Sequence, residues 1–167
     1  MSIDRLNGTA SARISIRIGD DNYNEPRINL NQPVNQSYSF GSGVGEANAF
    51  YSIEYTLSAS VSTQITLDDA SIRDLFGNLT SFASIGLVRV QHSGDSQAST
   101  ATLTGTFLDT VCASGGTFSY TMGPTDHYHI STNRDIKSVA ASDTIVLTND
   151  DAVNEAIISI DLIGVSS

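Results

Sequence analysis

Hydrophobic and polar residues alternate one by one along much of this chain, which is the period at which successive side chains leave opposite faces of a β-strand. From 9 to 18, TASARISIRI puts Ala10, Ala12, Ile14, Ile16 and Ile18 on one face and Arg13, Ser15 and Arg17 on the other. From 50 to 59, FYSIEYTLSA sets Tyr51, Ile53, Tyr55, Leu57 and Ala59 against Ser52, Glu54, Thr56 and Ser58. Both read as half-buried strands. A further strand is expected at 63–67, and others at 79–92, 100–107, 117–122, 127–132, 144–148 and 156–163. Turn formers punctuate them: Gly94-Asp95, Gly115-Gly116, Gly123-Pro124 and Asn149-Asp150-Asp151.

Two stretches break the pattern. In DDASIRDLFGN, Asp68 or Asp69 would cap a single helical turn that packs Ile72, Leu75 and Phe76 and ends at Gly77. This is the one helix the pattern predicts. The segment 19–35 is rich in Asn, Asp and Pro, and Asp20, Asp21, Asn22, Pro26 and Pro33 are expected to interrupt any regular ladder. The region 19–40 therefore reads as a long loop or an extended arm, of a length that is uncommon without a function and that a neighbouring subunit would order. No repeat or composition break divides the chain, so 1–167 is expected to be a single domain. About eight strands at this spacing predict an all-β fold, a two-sheet β-sandwich with jelly-roll-like topology and an extended N-terminal arm.

Composition narrows the chemistry. At 167 residues one core suffices, since a domain of this size buries roughly 70% of its unfolded surface. Hydrophobic residues make up 40% of the chain and charged ones 16%, so Ser, Thr, Asn and Gln must supply most of the polar surface. A formal charge of −10, with only eight scattered Lys and Arg, argues against nucleic acid as a partner, because phosphate binding relies on clustered cations. Cys112 is the sole cysteine, which rules out an intramolecular disulfide and a thiolate-rich metal site. No basic patch followed by a long apolar run opens the sequence, and no apolar run approaches bilayer length. The expectation is an unprocessed, soluble chain with no membrane partner.

His127 and His129 stand two apart on an expected strand and would reach one metal ion together. A cupin-like site resembles this pair but requires a downstream Glu and a later His. ISTNRD follows here instead, and His92 would have to arrive from a distant strand. Two surface imidazoles are the better account, and no metal or other cofactor is expected. DLFGN is similar to the kinase metal-binding triplet, with Leu75 inserted between Asp74 and Phe76, and reads as a turn. GSGVGEAN at 41–48 has neither a Lys nor a following helix to cradle phosphate, so it reads as a loop.

The acidic pairs Asp20-Asp21, Asp68-Asp69 and Asp150-Asp151 lack calcium-loop spacing and read as turns. Cys112 has no basic flank to activate it and reads as a small buried hydrophobe. The sequons at Asn7, Asn35 and Asn78 matter only in a secreted eukaryotic setting. No catalytic residue emerges, and the protein is not expected to be an enzyme.

From Gly41 onward the order of features resembles a group of small structural proteins of tailed-phage virions, and the likeness covers about three quarters of the chain. It is carried by GSGVGEANAFYS and the strand leading to Thr66 and Leu67, then by DLFGNLTSFASIGLVRVQHS. Gly115-Gly116-Thr117-Phe118, SDTIVLTNDD and the terminal AIISIDLIGVSS complete it. The Asn-rich segment before Gly41 departs from the group's pattern.

The resemblance implies a β-sandwich without enzymatic activity on the capsid exterior, a capsid decoration or cement subunit that binds the major capsid protein and neighbouring copies of itself. A homo-oligomer is expected, and a trimer at a capsid threefold would serve. The arm would make the contacts through Tyr23, Ile28, Leu30, Val34, Tyr38 and Phe40. The alternative is a phage fibre or tail-tip module that binds carbohydrate on a platform of Tyr120, Tyr128, His127 and Asp126. A cupin-like metalloenzyme using His127 and His129 is the third reading.

Overall fold

The computed structural model describes the backbone of 8–18, 28–40 and 46, and backbone and side chains of 47–70, 72–73, 79–93, 99–131 and 137–167. Strands dominate it. The first are β1 (Gly8–Ile18), β2 (Ile28–Phe40), β3 (Glu46–Ala47), β4 (Ala49–Leu57) and β5 (Ser62–Thr66). There follow β6 (Ile72–Arg73), β7 (Leu79–Thr80), β8 (Phe82–His92), β9 (Ala101–Thr104) and the short helix α1 (Thr106–Cys112). The chain continues through β10 (Tyr120–Met122), β11 (His127–Ser131), β12 (Lys137–Ser138), β13 (Thr144–Asn149) and β14 (Ala156–Ser166).

Strand pairing is nested. β4 pairs with β14, β5 with β13, β8 with β11 and β9 with β10, each antiparallel. Two further antiparallel pairings, β14 with β8 and β13 with β9, assemble these into sheets ordered β11-β8-β14-β4 and β10-β9-β13-β5. β12 adds to β8 beside β11. The protein is thus all-β, with antiparallel sheets.

Alternation explains which side of each sheet is buried. β13 buries Ile145 and Leu147, and β14 buries Ala156, Ile158, Ile160 and Leu162. These join Leu103 and Met122 from the same sheet as β13, and Phe82, Val88 and Val90 from that of β14, in one apolar cluster fed by both sheets. Each such aliphatic side chain withdrawn from water stabilises the fold by about 1.5–3 kcal/mol.

β8 changes phase along its length. The β14 register slips between Ile163 and Gly164, so that Leu87 faces Ile163 while Ile85 faces Gly164. One residue inserted into a ladder turns later side chains to the other face. Ile85 therefore joins the main core, whereas Leu87 packs with Ala47 and Ile163 in a second, smaller cluster. At this crossing a Cβ on Gly164 would collide with the carbonyl oxygen of Ser84, which explains the glycine.

The helix lies elsewhere than expected. Ile72 and Arg73 form a strand paired with Leu79 and Thr80, not a helical turn, and 74–78 lie outside the described residues. The α-helix instead follows β9, beginning at Thr106 within the last two residues of the stretch expected to remain a strand as far as Phe107. Gly105 has φ 137° and lies so close to Thr144 that a Cβ would overlap its carbonyl, so the β9 ladder ends there. Burial of Phe107 and Leu108, with Val111 packed alongside, then holds a single short helix that has no side-chain cap. Thr106 fastens it to β13 by accepting a hydrogen bond at Oγ1 from the Thr144 amide at 2.9 Å.

The Asn- and Pro-rich region also differs from expectation. Its residues 19–27 lie outside the described residues, but Ile28–Phe40 is a strand, and its ladder with β1 continues through Pro33, opposite Arg13. Beyond its pairing with β3 at Ser39 and Phe40, β2 has a partner on one side only among the described residues. Alternate N–H groups of such a strand point away from its partner, and proline is tolerated there.

Candidate interaction site

β1 and β2 form a long antiparallel ribbon, Gly8 opposite Tyr38 at one end and Ile18 opposite Ile28 at the other. Directly opposed residues of an antiparallel pair share a face. The register sets Ala12 opposite Val34, Ile16 opposite Leu30 and Ile18 opposite Ile28, while Arg13, Ser15 and Arg17 stand opposite Pro33, Asn31 and Asn29. Apolar positions thus meet apolar positions along one face, with Gln32 and Gln36 as interruptions, and polar positions meet along the other.

Five of the six residues expected to make contacts, Ile28, Leu30, Val34, Tyr38 and Phe40, fall on β2 at alternate positions, hence on one face. Tyr23 lies outside the described residues. The ribbon joins the remaining strands by a parallel pairing of two residues, Ser39 opposite Glu46 and Phe40 opposite Ala47.

The carbohydrate platform does not come together as one surface. Tyr128 and Ile130 on β11 pack against the core, so alternation puts His127 and His129 on the opposite face. Tyr128 instead gathers Phe118 and Tyr120, with ring centroids at 5.3 and 5.0 Å and tilted planes. Its hydroxyl lies 3.4 Å from Sγ of Cys112, which is exposed rather than buried as expected, because it falls at the last position of α1 beyond the buried Phe107 and Leu108. Burial, this hydrogen bond and the Cys112 and Tyr120 groups beside it all push the Tyr128 phenol well above the ordinary tyrosine range. Asp126 is occupied in its own turn, where Oδ2 accepts from the Gly123 amide at 2.9 Å.

His127 and His129 stand opposite Gln91 and Arg89 of β8. Arg89 donates to Asp161 at 3.1 Å and to Gln91 at 2.7 Å, and Asp161 accepts from Ser52 at 2.7 Å, making a polar ladder across three strands. Burial, then Arg89 and His127, lower the His129 pKa. Among the described residues no three His, Cys, Asp or Glu side chains converge as metal ligands. His92 does come within one rung, donating its amide to the Asp126 carbonyl at 2.9 Å, but its side chain is buried, away from His127. Its Nε2 lies 3.2 Å from Ser99 Oγ, a serine–histidine contact that a catalytic pair would need. Both residues are essentially fully buried, at 0% and 1% exposure, so the contact lies in the interior.

Two of the acidic pairs serve turns. Asp68 accepts from the Ser142 amide at 3.0 Å, and Asp150 accepts from the Thr102 hydroxyl. Asp151 accepts from the Val153 and Asn154 amides at 2.7 and 2.8 Å, which holds its pKa below the ordinary value. The segments 41–45 and 74–78 of the two glycine-containing motifs lie outside the described residues, and no described helix is long and apolar enough to cross a membrane. No protein-family model matches the chain, and no curated protein matches its sequence.

Proposed function

We propose that this chain is a virion structural protein, a capsid decoration or cement subunit whose β1–β2 ribbon grips the major capsid protein and neighbouring copies from the capsid exterior. The ribbon carries this reading. A two-stranded hairpin is at best marginally stable alone in water, so a long amphipathic one tied on by a two-residue pairing is suited to completing its burial against another chain. Many weak copies of such a contact around a symmetric shell add up to firm attachment.

The sheet orders support the same reading at the level of fold. Pairing β4 with β14, β5 with β13, β8 with β11 and β9 with β10 is the order left when one long hairpin is folded over and rolled into two layers. This order supports reading the fold as a jelly-roll sandwich, an architecture used by capsid and lectin domains alike. The lectin-like use has less support, because Tyr128 and His127 occupy opposite faces of β11.

Co-sedimentation with undecorated phage-type capsids tests the proposal. The full chain should bind saturably in a fixed ratio to the capsid protein, and a full-length Ile16→Asp, Leu30→Asp variant with an unchanged melting temperature should bind at least tenfold more weakly. No sedimentation of the unaltered chain would overturn the cement reading, and equal binding by the variant would remove the ribbon from it.

A further inference from the structure

β4 ends its sheet. It pairs with β14 through Ala49–Leu57, and among the described residues no strand lies along its other edge, although β2 occupies the two preceding positions, Glu46 and Ala47. An unpaired edge presents a row of N–H and C=O groups ready to accept another strand. Proteins usually blunt such edges with proline, lysine, a bulge or brevity. Among the strands that end the two larger sheets, the others are short, β5 with five residues, β10 three and β11 five; β1, which ends the ribbon, has eleven. β4 has nine, AFYSIEYTL, without proline, glycine or lysine, and its pairing with β14 runs unbroken through all of them.

We propose that the β4 edge is a homodimer interface in which β4 of a second copy pairs antiparallel about a twofold axis through Ile53. The observation that selects a second copy over another partner is the symmetry of the strand itself. Centring an antiparallel pairing on Ile53 sets Ile53 against Ile53, Tyr51 against Tyr55 of the second copy, and Ser52 against Glu54. It alone pairs all nine residues. A shift by one residue would set Tyr55 opposite Ser52 and Tyr51 opposite Thr56, or Tyr51 opposite Glu54 and Tyr55 opposite Phe50, and would turn the partner's tyrosines to the other face of the pleat. In this register the aromatic and aliphatic positions meet on one side, and a hydroxyl donor meets a carboxylate acceptor on the other.

Ile53 marks the centre physically as well. It shares its face with the buried Tyr51 and Leu57 yet remains 39% exposed, a large aliphatic side chain that the monomer leaves half covered. Tyr51 and Tyr55 already join hydroxyls at 2.8 Å, so the rings flanking Ile53 are held in place before a partner arrives. The pairing would add roughly eight to ten backbone hydrogen bonds and make one continuous sheet from two. Interfaces related by a twofold axis are the commonest among symmetric oligomers. The inference does not depend on the virion reading, because it concerns the free protein.

Size-exclusion chromatography with light scattering, together with a cross-linking variant, tests it. The full chain should run as a dimer at micromolar concentration, and Ile53→Lys, which sets two like charges face to face, should raise the dissociation constant at least tenfold in a chain that still folds by circular dichroism. In a Cys112→Ser background, Ile53→Cys should form a disulfide-linked dimer on mild oxidation, because directly opposed residues have Cα atoms about 4.5–5.5 Å apart. Ser62→Cys on β5 should not. A monomer at all concentrations, a trimer, or a dimer that persists in Ile53→Lys and fails to cross-link at position 53 would each overturn the proposal.

Discussion

Asn149 Nδ2 donates to the carbonyl oxygen of Leu57 at 3.0 Å, joining the end of β13 in one sheet to the end of β4 in the other. The same nitrogen reaches Ser58 and Asn154 carbonyls at 3.1 and 2.8 Å, and Oδ1 accepts from the Asp151 amide at 3.0 Å. The side chain is fully buried, so these groups have no water to turn to. Asn149→Ala should destabilise the protein by about 3 kcal/mol, since each buried polar group stranded costs about 1–3 kcal/mol. Asn149→Asp should cost more, by turning a carboxylate toward three carbonyl oxygens. Urea unfolding with unchanged slope would measure both.

Gly164 offers a second stability test. Its bulge brings the backbone so close to Ser84 that even a methyl group must displace main-chain atoms. Gly164→Ala should cost about 1–3 kcal/mol by overpacking, whereas Gly115→Ala, where a Cβ meets nothing, should cost less despite its φ of 94°. Thermal melts of the two variants side by side would reveal the difference.

How far the sequence disclosed this fold depends on the element. β13 and β14 bury alternate residues, as their apolar spacing foretells, because a half-buried strand writes its period directly into the chain. The pairing of β4 with β14, remote in sequence, leaves no such mark, since alternation names a face but not a partner. α1 escaped because seven residues with two threonines and a valine look like a strand; its signal was the packing pair Phe107 and Val111 one turn apart. In β2, Pro33 and the asparagines hid a strand whose apolar residues, Ile28 and Leu30 among them, kept strict alternation. Asn149 was visible as part of a turn triplet, but its role is set by Leu57 and Ser58, remote in sequence. Tyr128 and His127 looked like one platform because neighbours in sequence are easily taken for neighbours on a surface.

Tyr51 and Tyr128 should resist ionisation while the chain is folded. Burial foremost, then the Tyr55 hydroxyl, raises Tyr51 far above the ordinary range, and burial with Cys112 does the same for Tyr128. For an acid with a raised folded-state pKa, the associated stability is complete below the unfolded value and is lost as pH rises through the folded one. Neither phenol should ionise in the folded protein near pH 10. Tyr51→Phe and Tyr128→Phe should therefore leave the absorbance change at 295 nm up to about pH 11 unaltered, with their share of the signal appearing only on alkaline unfolding. A reduced amplitude below that pH in either variant would contradict the arrangement of these rings.

Acid should weaken the fold through histidine before most carboxylates titrate. Burial lowers the His92 pKa, against a smaller opposing pull from a backbone hydrogen bond and Asp126. Burial, Arg89 and His127 lower that of His129. A base with a depressed folded-state pKa binds fewer protons folded than unfolded, so its penalty is absent above the unfolded value of about 6.5 and grows as pH falls below it. The urea midpoint should decline from about pH 6.5 downward. His92→Gln keeps a neutral donor or acceptor near Ser99 Oγ, and combining it with His129→Gln should flatten that decline while leaving the fall below about pH 4 in place. That lower window belongs to carboxylates such as Asp151, whose depressed pKa makes its contribution present at neutral pH and lost as the group protonates. Parallel stability–pH curves for wild type and double variant between pH 7 and 5 would show that neither histidine is held neutral by its surroundings.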